Sequence, residues 1–169
     1  MTPYHTARFY LLVSSVIFLT DTLTKFLVVG QLVLHESVEI IPRLFSLTYV
    51  QNSGVAFGLL RNADWGGKLP VLCSVALLAA GVIIYYASKV SLRHRMLHWA
   101  LALVLGGILG NLLDRLVHGY VIDFIDLYVF DFHWPTFNVA DSAITIGVIL
   151  LMLDTLRKPT EMEVSEASN

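Results

Sequence analysis

Apolar residues gather into four long runs, separated by stretches in which polar residues return at short intervals. The runs extend from about Phe9 to Val29, Leu69 to Ala87, Leu97 to Val117 and Phe137 to Leu156. Each is close to the roughly 20 residues that a helix needs to cross a hydrocarbon core. The pattern predicts an α-helical polytopic membrane protein whose four transmembrane helices form one domain over residues 1–158. The first run has a basic start at Arg8, yet Asp21 and Lys25 interrupt it and no small-x-small site follows, so it reads as a retained helix, not a cleaved signal peptide. The Glu- and Ser-containing tail over 159–169 reads as a disordered cytoplasmic segment.

Between the runs the periodicity changes. Phe45-Ser46-Leu47-Thr48-Tyr49 alternates apolar and polar, as a half-buried strand does, and Asn52-Ser53-Gly54 supplies turn chemistry after it. Tyr120 to Phe130 is rich in β-branched and aromatic residues and is also strand-like. A small β cradle resting on the helix ends is expected, with a short surface helix over Arg61 to Leu69 that places Trp65 at the lipid boundary.

Charge gives the array a direction. Arg8, then Lys89, Arg93 and Arg95, then Arg157 and Lys158 would share one side with both termini. The other side would hold Arg43, Arg61 and Lys68 beside six acids: Glu36, Glu39, Asp64, Asp123, Asp126 and Asp131. The bias of basic residues predicts cytoplasmic termini and a cradle on the extracytoplasmic face.

Composition agrees: 56% hydrophobic, 14% charged and a mean hydropathy of +0.71 lie well to the membrane side of a soluble domain. A net charge of −2 with no basic cluster excludes a nucleic-acid partner. The one cysteine, Cys73, excludes an intrachain disulfide and reads as a small buried hydrophobe.

Against that background Gly106 to Asp141 is conspicuous, because ionisable groups at a bilayer are costly. Asn111 and Asp114 are spaced i,i+3, and Asn111 and Arg115 i,i+4, so the three project to one side of the third helix. Asn138 and Asp141 repeat the i,i+3 spacing at the start of the fourth, where an acid also has a capping role. Asp123 lies in the strand-like loop between, where a lone acid is ordinarily solvent-facing. As a pair, Asp123 and Asp141 suit hydrolysis. Two carboxylates in a low-dielectric site keep one proton between them, so one activates water while the other protonates the scissile carbonyl. Spacing does not say which is the base.

Other polar residues have competing readings. Asp21 and Lys25, at i,i+4, form either an intrahelical ion pair or part of the site. Asp114 suits a structural network, whereas the donors of Asn111 and Arg115 suit a substrate carbonyl. Gly106, Gly107 and Gly110 lie on the third helix, Gly106 and Gly110 in small-xxx-small spacing, and close helix packing is the favoured reading of the three. Asp126 and Asp131 read as loop solvation, and His133 beside Asp131 as a solvated loop in preference to a metal site. His35-Glu36 begins like a zinc helix motif, but position 39 is Glu, and no G-x-S-x-G elbow occurs. No metal or other cofactor is expected. A proton conduit would need polar groups through mid-membrane, and a purely structural subunit would not need a carboxylate opposite Asp141.

In order along the chain, Asp21-x-x-Thr24-Lys25, Asn52-Ser53-Gly54-Val55-Ala56-Phe57, Gly106-Gly107-x-x-Gly110-Asn111-x-x-Asp114-Arg115, Val121-x-Asp123-Phe124 and Phe137-Asn138-x-Ala140-Asp141-Ser142 resemble bacterial lipoprotein signal peptidase, or signal peptidase II. The resemblance covers nearly all of the membrane core. It implies an aspartic endopeptidase of the bacterial inner membrane that works as a monomer among membrane lipids. Such an enzyme cleaves prolipoproteins just before a diacylglyceryl-modified Cys and is sensitive to globomycin. It implies a catalytic dyad at Asp123 and Asp141. It further implies that Asn52, Gly107, Asn111, Arg115 and Asn138 line the site, with Asp21, Lys25 and Asp114 in support. The chain departs from the family pattern at Gln51 and Val55, which flank Asn52 and bear on fine substrate preference.

Overall fold

The computed structural model describes residues 3–54, 67–91 and 93–156. Four helices, α1 (Pro3–Gln31), α2 (Lys68–Ala87), α3 (Arg95–His118) and α4 (Val139–Leu156), are each long and apolar enough to cross a membrane. Four strands complete the chain: β1 (Ser37–Ile41), β2 (Phe45–Asn52), β3 (Val121–Val129) and β4 (Phe132–His133). They form one antiparallel sheet in the order β1-β2-β3-β4. Since β1 and β2 follow α1, and β3 and β4 lie between α3 and α4, the sheet sits at one end of the helical array. The protein is thus a four-helix polytopic membrane protein with a small β cradle.

Helix α3 is the centre. About 61% of its apolar window is buried, against 28% or less in the other three helices, and it packs on all of them. Small residues permit that. A Cβ on Gly107 would collide with the backbone carbonyl of Ala140 in α4, and one on Gly110 would lie 2.6 Å from Oδ2 of Asp21. Gly107 therefore serves the α3–α4 contact, the packing role read for the glycines of this helix. The helix ends at Gly119, whose φ of 84° suits a residue without Cβ and whose N–H donates to the Arg115 carbonyl.

At the sheet end, α1, α3 and α4 share a buried ionic knot. The Lys25 ammonium, 2% exposed, lies 2.6 Å from Asp21 and 2.8 Å from Asp114. Asp21 also accepts the backbone N–H of Ala140 in α4, and Asp114 accepts that of Ile122 in β3. An unpaired ion in such a place is costly, so each charge needs the others. Both readings of Asp21 and Lys25 are met in part: they form an i,i+4 pair, and that pair reaches beyond its own helix.

Several expectations change. Helix α4 begins at Val139, not Phe137, because Phe137 is extended and bridged to Ile125. Strands β1 and β4 enlarge the cradle beyond the two strand-like stretches expected. Asp126 is not loop solvation: it is 7% exposed, and its carboxylate lies 2.9 Å from Nδ1 of His133 on the neighbouring strand. His133 accordingly pairs with Asp126 and not with Asp131. The expected surface helix near Trp65 falls on 61–66, which lie outside the described residues, while Lys68 and Leu69 already belong to α2. Arg157, Lys158 and the tail also lie outside them.

Replacing Lys25 by Met is expected to destabilise the protein by roughly 3–5 kcal/mol, since it strands two buried carboxylates. A thermal unfolding curve of the detergent-solubilised variant within a degree or two of wild type would refute that role.

Candidate active site

The sheet, α3 and α4 each contribute to one largely buried polar cluster. Asp123 comes from β3, where it pairs across the ladder with Val50, and it is 2% exposed. Its Oδ1 accepts from the Asn138 side-chain amide at 2.7 Å and its Oδ2 from the Asn52 amide at 2.9 Å. Asn52 closes β2, and its own Oδ1 accepts the Gly54 N–H at 2.9 Å, so the turn expected there is formed by the side chain that also holds Asp123.

Asp141 is placed by helix chemistry. Asn138 caps α4: its Oδ1 accepts the backbone N–H of Asp141 at 2.8 Å, while its own N–H donates to Oδ2 of Asp141 at 3.3 Å. This reciprocal exchange across three residues is a capping box with Asn and Asp in its two positions. The other oxygen, Oδ1, accepts from the Asn111 amide of α3 at 2.8 Å. Asn138, with no exposed surface, thus touches both carboxylates.

Each of the four carboxylate oxygens receives a neutral N–H donor, three of them from asparagine side chains. Neither acid has a salt-bridge partner among the described residues. Burial, followed by the nearby Asp141 charge, pushes the Asp123 carboxyl up to about 7, although the amides of Asn52 and Asn138 and the more distant Lys25 charge act against the rise. Asp123 therefore keeps a proton at mildly acidic pH, as paired carboxylates sharing a site do.

The ionic knot reaches this pair through Asn111. The Lys25 ammonium donates to Oδ1 of Asn111 at 3.1 Å, and Nδ2 of Asn138 approaches the same oxygen at 3.2 Å. With two donors at its oxygen, the Asn111 amide must present its NH₂ to Asp141. Asp114 stays in the knot, as the structural reading held. Arg115, whose donors suit a substrate carbonyl, spends two of them within the chain: its guanidinium donates to the Asn111 carbonyl at 3.2 Å and to the Gly54 carbonyl at 3.0 Å. It ties the turn after β2 to α3. Gln51 points elsewhere, donating to the hydroxyls of Tyr49 and Tyr120. Val55 and the motif residues Ala56 and Phe57 lie outside the described residues.

The polar site residues expected from the sequence therefore meet in one network. Among the described residues no three His, Cys, Asp or Glu side chains gather to hold a metal ion. The network can hold water against an ionised carboxylate with a protonated one beside it, the requirement for acid–base hydrolysis of an amide.

The model of the family described as signal peptidase (SPase) II matches residues 13–157. A lipoprotein signal peptidase of Syntrophus aciditrophicus is 43% identical over 152 residues, 90% of this chain and 94% of its own. That of Symbiobacterium thermophilum is 47% identical over 133 residues, covering 79% and 84%. In shape the chain is similar to a bacterial membrane enzyme solved by the in meso method at 1.9 Å resolution, with a TM-score of 0.81, 29% identity, and coverage of 89% of this chain and 94% of that one. A second such structure, at 2.3 Å, gives 0.79, 31% and 87% of each chain. This chain belongs to the signal peptidase II family of aspartic peptidases.

Proposed function

We propose that the protein is an intramembrane aspartic endopeptidase that removes the signal peptide from diacylglyceryl-modified prolipoproteins, cutting just before the lipidated Cys. The observation that carries this reading is the shared grip of Asn138 on Asp123 and Asp141. Water lodged between the two acids is the nucleophile, and the roles follow from their surroundings.

Asp141 is the general base. It sits in the first turn of α4, where the helix dipole and the Asn138 N–H favour a negative carboxylate, and Asn111, polarised by Lys25, donates to it. It is also partly exposed, which gives water a route. Asp123 is buried and keeps its proton below about 7. As water attacks the carbonyl carbon, its proton passes to Asp141 while Asp123 donates to the carbonyl oxygen, giving a neutral tetrahedral diol. Collapse returns the diol proton to Asp123, and Asp141 passes its proton to the departing amine. Every atom and charge is then restored.

The distribution of charge supports a bacterial inner-membrane enzyme with cytoplasmic termini and its dyad near the extracytoplasmic face. Arg8, Lys89, Arg93 and Arg95 flank the helix ends opposite the sheet. A substrate whose acyl chains lie in the bilayer and whose signal helix spans it presents its cleavable bond near that boundary. Because both acids and every side chain that holds them come from one chain, a monomer suffices. The notion that 52–57 closes over the bound substrate falls largely outside the described residues; only Asn52 to Gly54 are seen, pinned by Arg115.

Asp123→Asn and Asp141→Asn should each lower cleavage of a lipid-modified prolipoprotein by about 10²–10⁴-fold in detergent, the span expected for losing a general acid or base. Near-normal turnover in either variant would sink the dyad, and a rate abolished by a chelator would point to a metal instead. The pH profile is a separate check. Since Asp123 must enter protonated, kcat/KM should fall roughly tenfold per unit as pH rises above about 7. A rate that stays flat to pH 9 would mean that Asp123 is not the acid.

A further inference from the structure

The sheet has two unlike faces. Partners in the ladder place Ser37 beside Thr48, Glu39 beside Ser46 and Ser46 beside Asp126 on one face. Side-chain bonds run across it: Ser37 to Thr48, Thr48 to Asp126, and Tyr128 to Glu39. Tyr128 stacks on His133, whose ring lies against Asp126. The opposite face is apolar, and it stays uncovered toward the hairpin: Val38, Ile41, Leu127, Val129 and Phe132 are 39–70% exposed. Strand alternation puts Asp123 on this same apolar face, two and four residues before Ile125 and Leu127.

The tip of the β3–β4 hairpin makes the pattern more pointed. Val129 pairs with Phe132, leaving Phe130 and Asp131 as a two-residue turn. Phe130 alone of the two has a positive φ, 55°. That is the position of a type II′ turn at which glycine is at ease and a bulky side chain is not. The same side chain is 79% exposed. Folding alone thus gains nothing from a phenylalanine there, either in backbone comfort or in burial. Trp134, about half exposed, follows two residues beyond Phe132 on the path into α4.

We propose that the β3–β4 hairpin, led by Phe130, is an interfacial anchor that seats the apolar face of the sheet on the lipid leaflet at that end of the bundle. Three observations commit the face to lipid. It is continuous with the membrane-spanning array, because Phe137, next to the first turn of α4, bridges β3 at Ile125. Toward the hairpin, beyond Asp123, the side-chain hydrogen bonds run across the other face. The exposed tip is aromatic, the chemistry that settles at a headgroup boundary. The anchor has a mechanical consequence that rests on the peptidase reading. Phe130, just past the end of β3, and Asp123, near its start, are about 23 Å apart at the usual rise. Fixing the far end of β3 in the leaflet fixes its tilt, and with it the depth of Asp123 relative to a bond whose own depth is set by acyl chains.

Spin labels on the full chain in liposomes test the contact without reference to catalysis. In a Cys73→Ala background, a label at Phe130→Cys should collide preferentially with membrane-dissolved oxygen. One at Ser37→Cys, on the polar face, should collide preferentially with a water-soluble nickel chelate. Equal nickel accessibility at both positions would overturn the anchor, as would dipolar broadening at 130 showing a second copy on the face. Phe130→Gly should retain the wild-type melting temperature, since the turn suits glycine. A marked fall would mean that Phe130 serves the fold instead. Combined with Phe132→Ser, it should slow cleavage several-fold in liposomes and by no more than about twofold in detergent. An equal loss in both media would assign the hairpin to the substrate and not to lipid.

Discussion

The ammonium of Lys25 is the constraint on which the rest depends. It lies buried between Asp21 of its own helix and Asp114 of α3, while Asp21 reaches the backbone of α4 and Asp114 that of β3. In a low-dielectric interior such charges are tolerable only when all their partners are present together. Three helices and a strand must therefore arrive in one arrangement. Small residues make this possible: Gly110 leaves room for the Asp21 carboxylate, and Gly107 lets α4 approach α3. The same ammonium orients Asn111, whose amide then faces Asp141. Architecture and site are one network, joined at a single amide.

What that network leaves around the dyad is as important as what it supplies. The donors on the four carboxylate oxygens are all neutral. A guanidinium in bidentate contact would favour the ionised form of the pair and leave no proton for the scissile carbonyl oxygen. Arg115 is nearby, yet its hydrogen bonds go to backbone carbonyls of Asn111 and Gly54. The cations stay one residue removed, so Lys25 biases Asp141 through Asn111 without neutralising the pair.

Much of this was legible in the sequence, for physical reasons that differ from residue to residue. The four spans follow from run length alone. Asn111, Asp114 and Arg115 were brought to one helix face by spacing, and Asn138 and Asp141 by the same rule with capping added. Strand β2 showed its alternation. Asp123 was different: one acid in an apolar strand gives no local sign of burial, and only its possible partner across the fold singled it out. Asp126 was misread for the converse reason, since its partner His133 lies on a two-residue strand too short to leave a periodic signal. Gly107 was easier: small residues gathered on one membrane helix signal close packing, and the Ala140 carbonyl is what a side chain there would meet.

The two acids are placed by unrelated rules, and on the proposed mechanism that is what separates their tasks. Asp141 is held by a capping box, a device completed within four residues, at a helix end whose dipole and N–H groups face its carboxylate. Asp123 is held by its strand, which carries it into a dry environment where the neutral form is favoured. Identical surroundings would leave the shared proton without a preferred home. In the proposed mechanism the helix end takes the charge and the strand takes the proton. Asn138, belonging to one and bonded to the other, keeps them in register, so an error in either the cap or the sheet is felt by both.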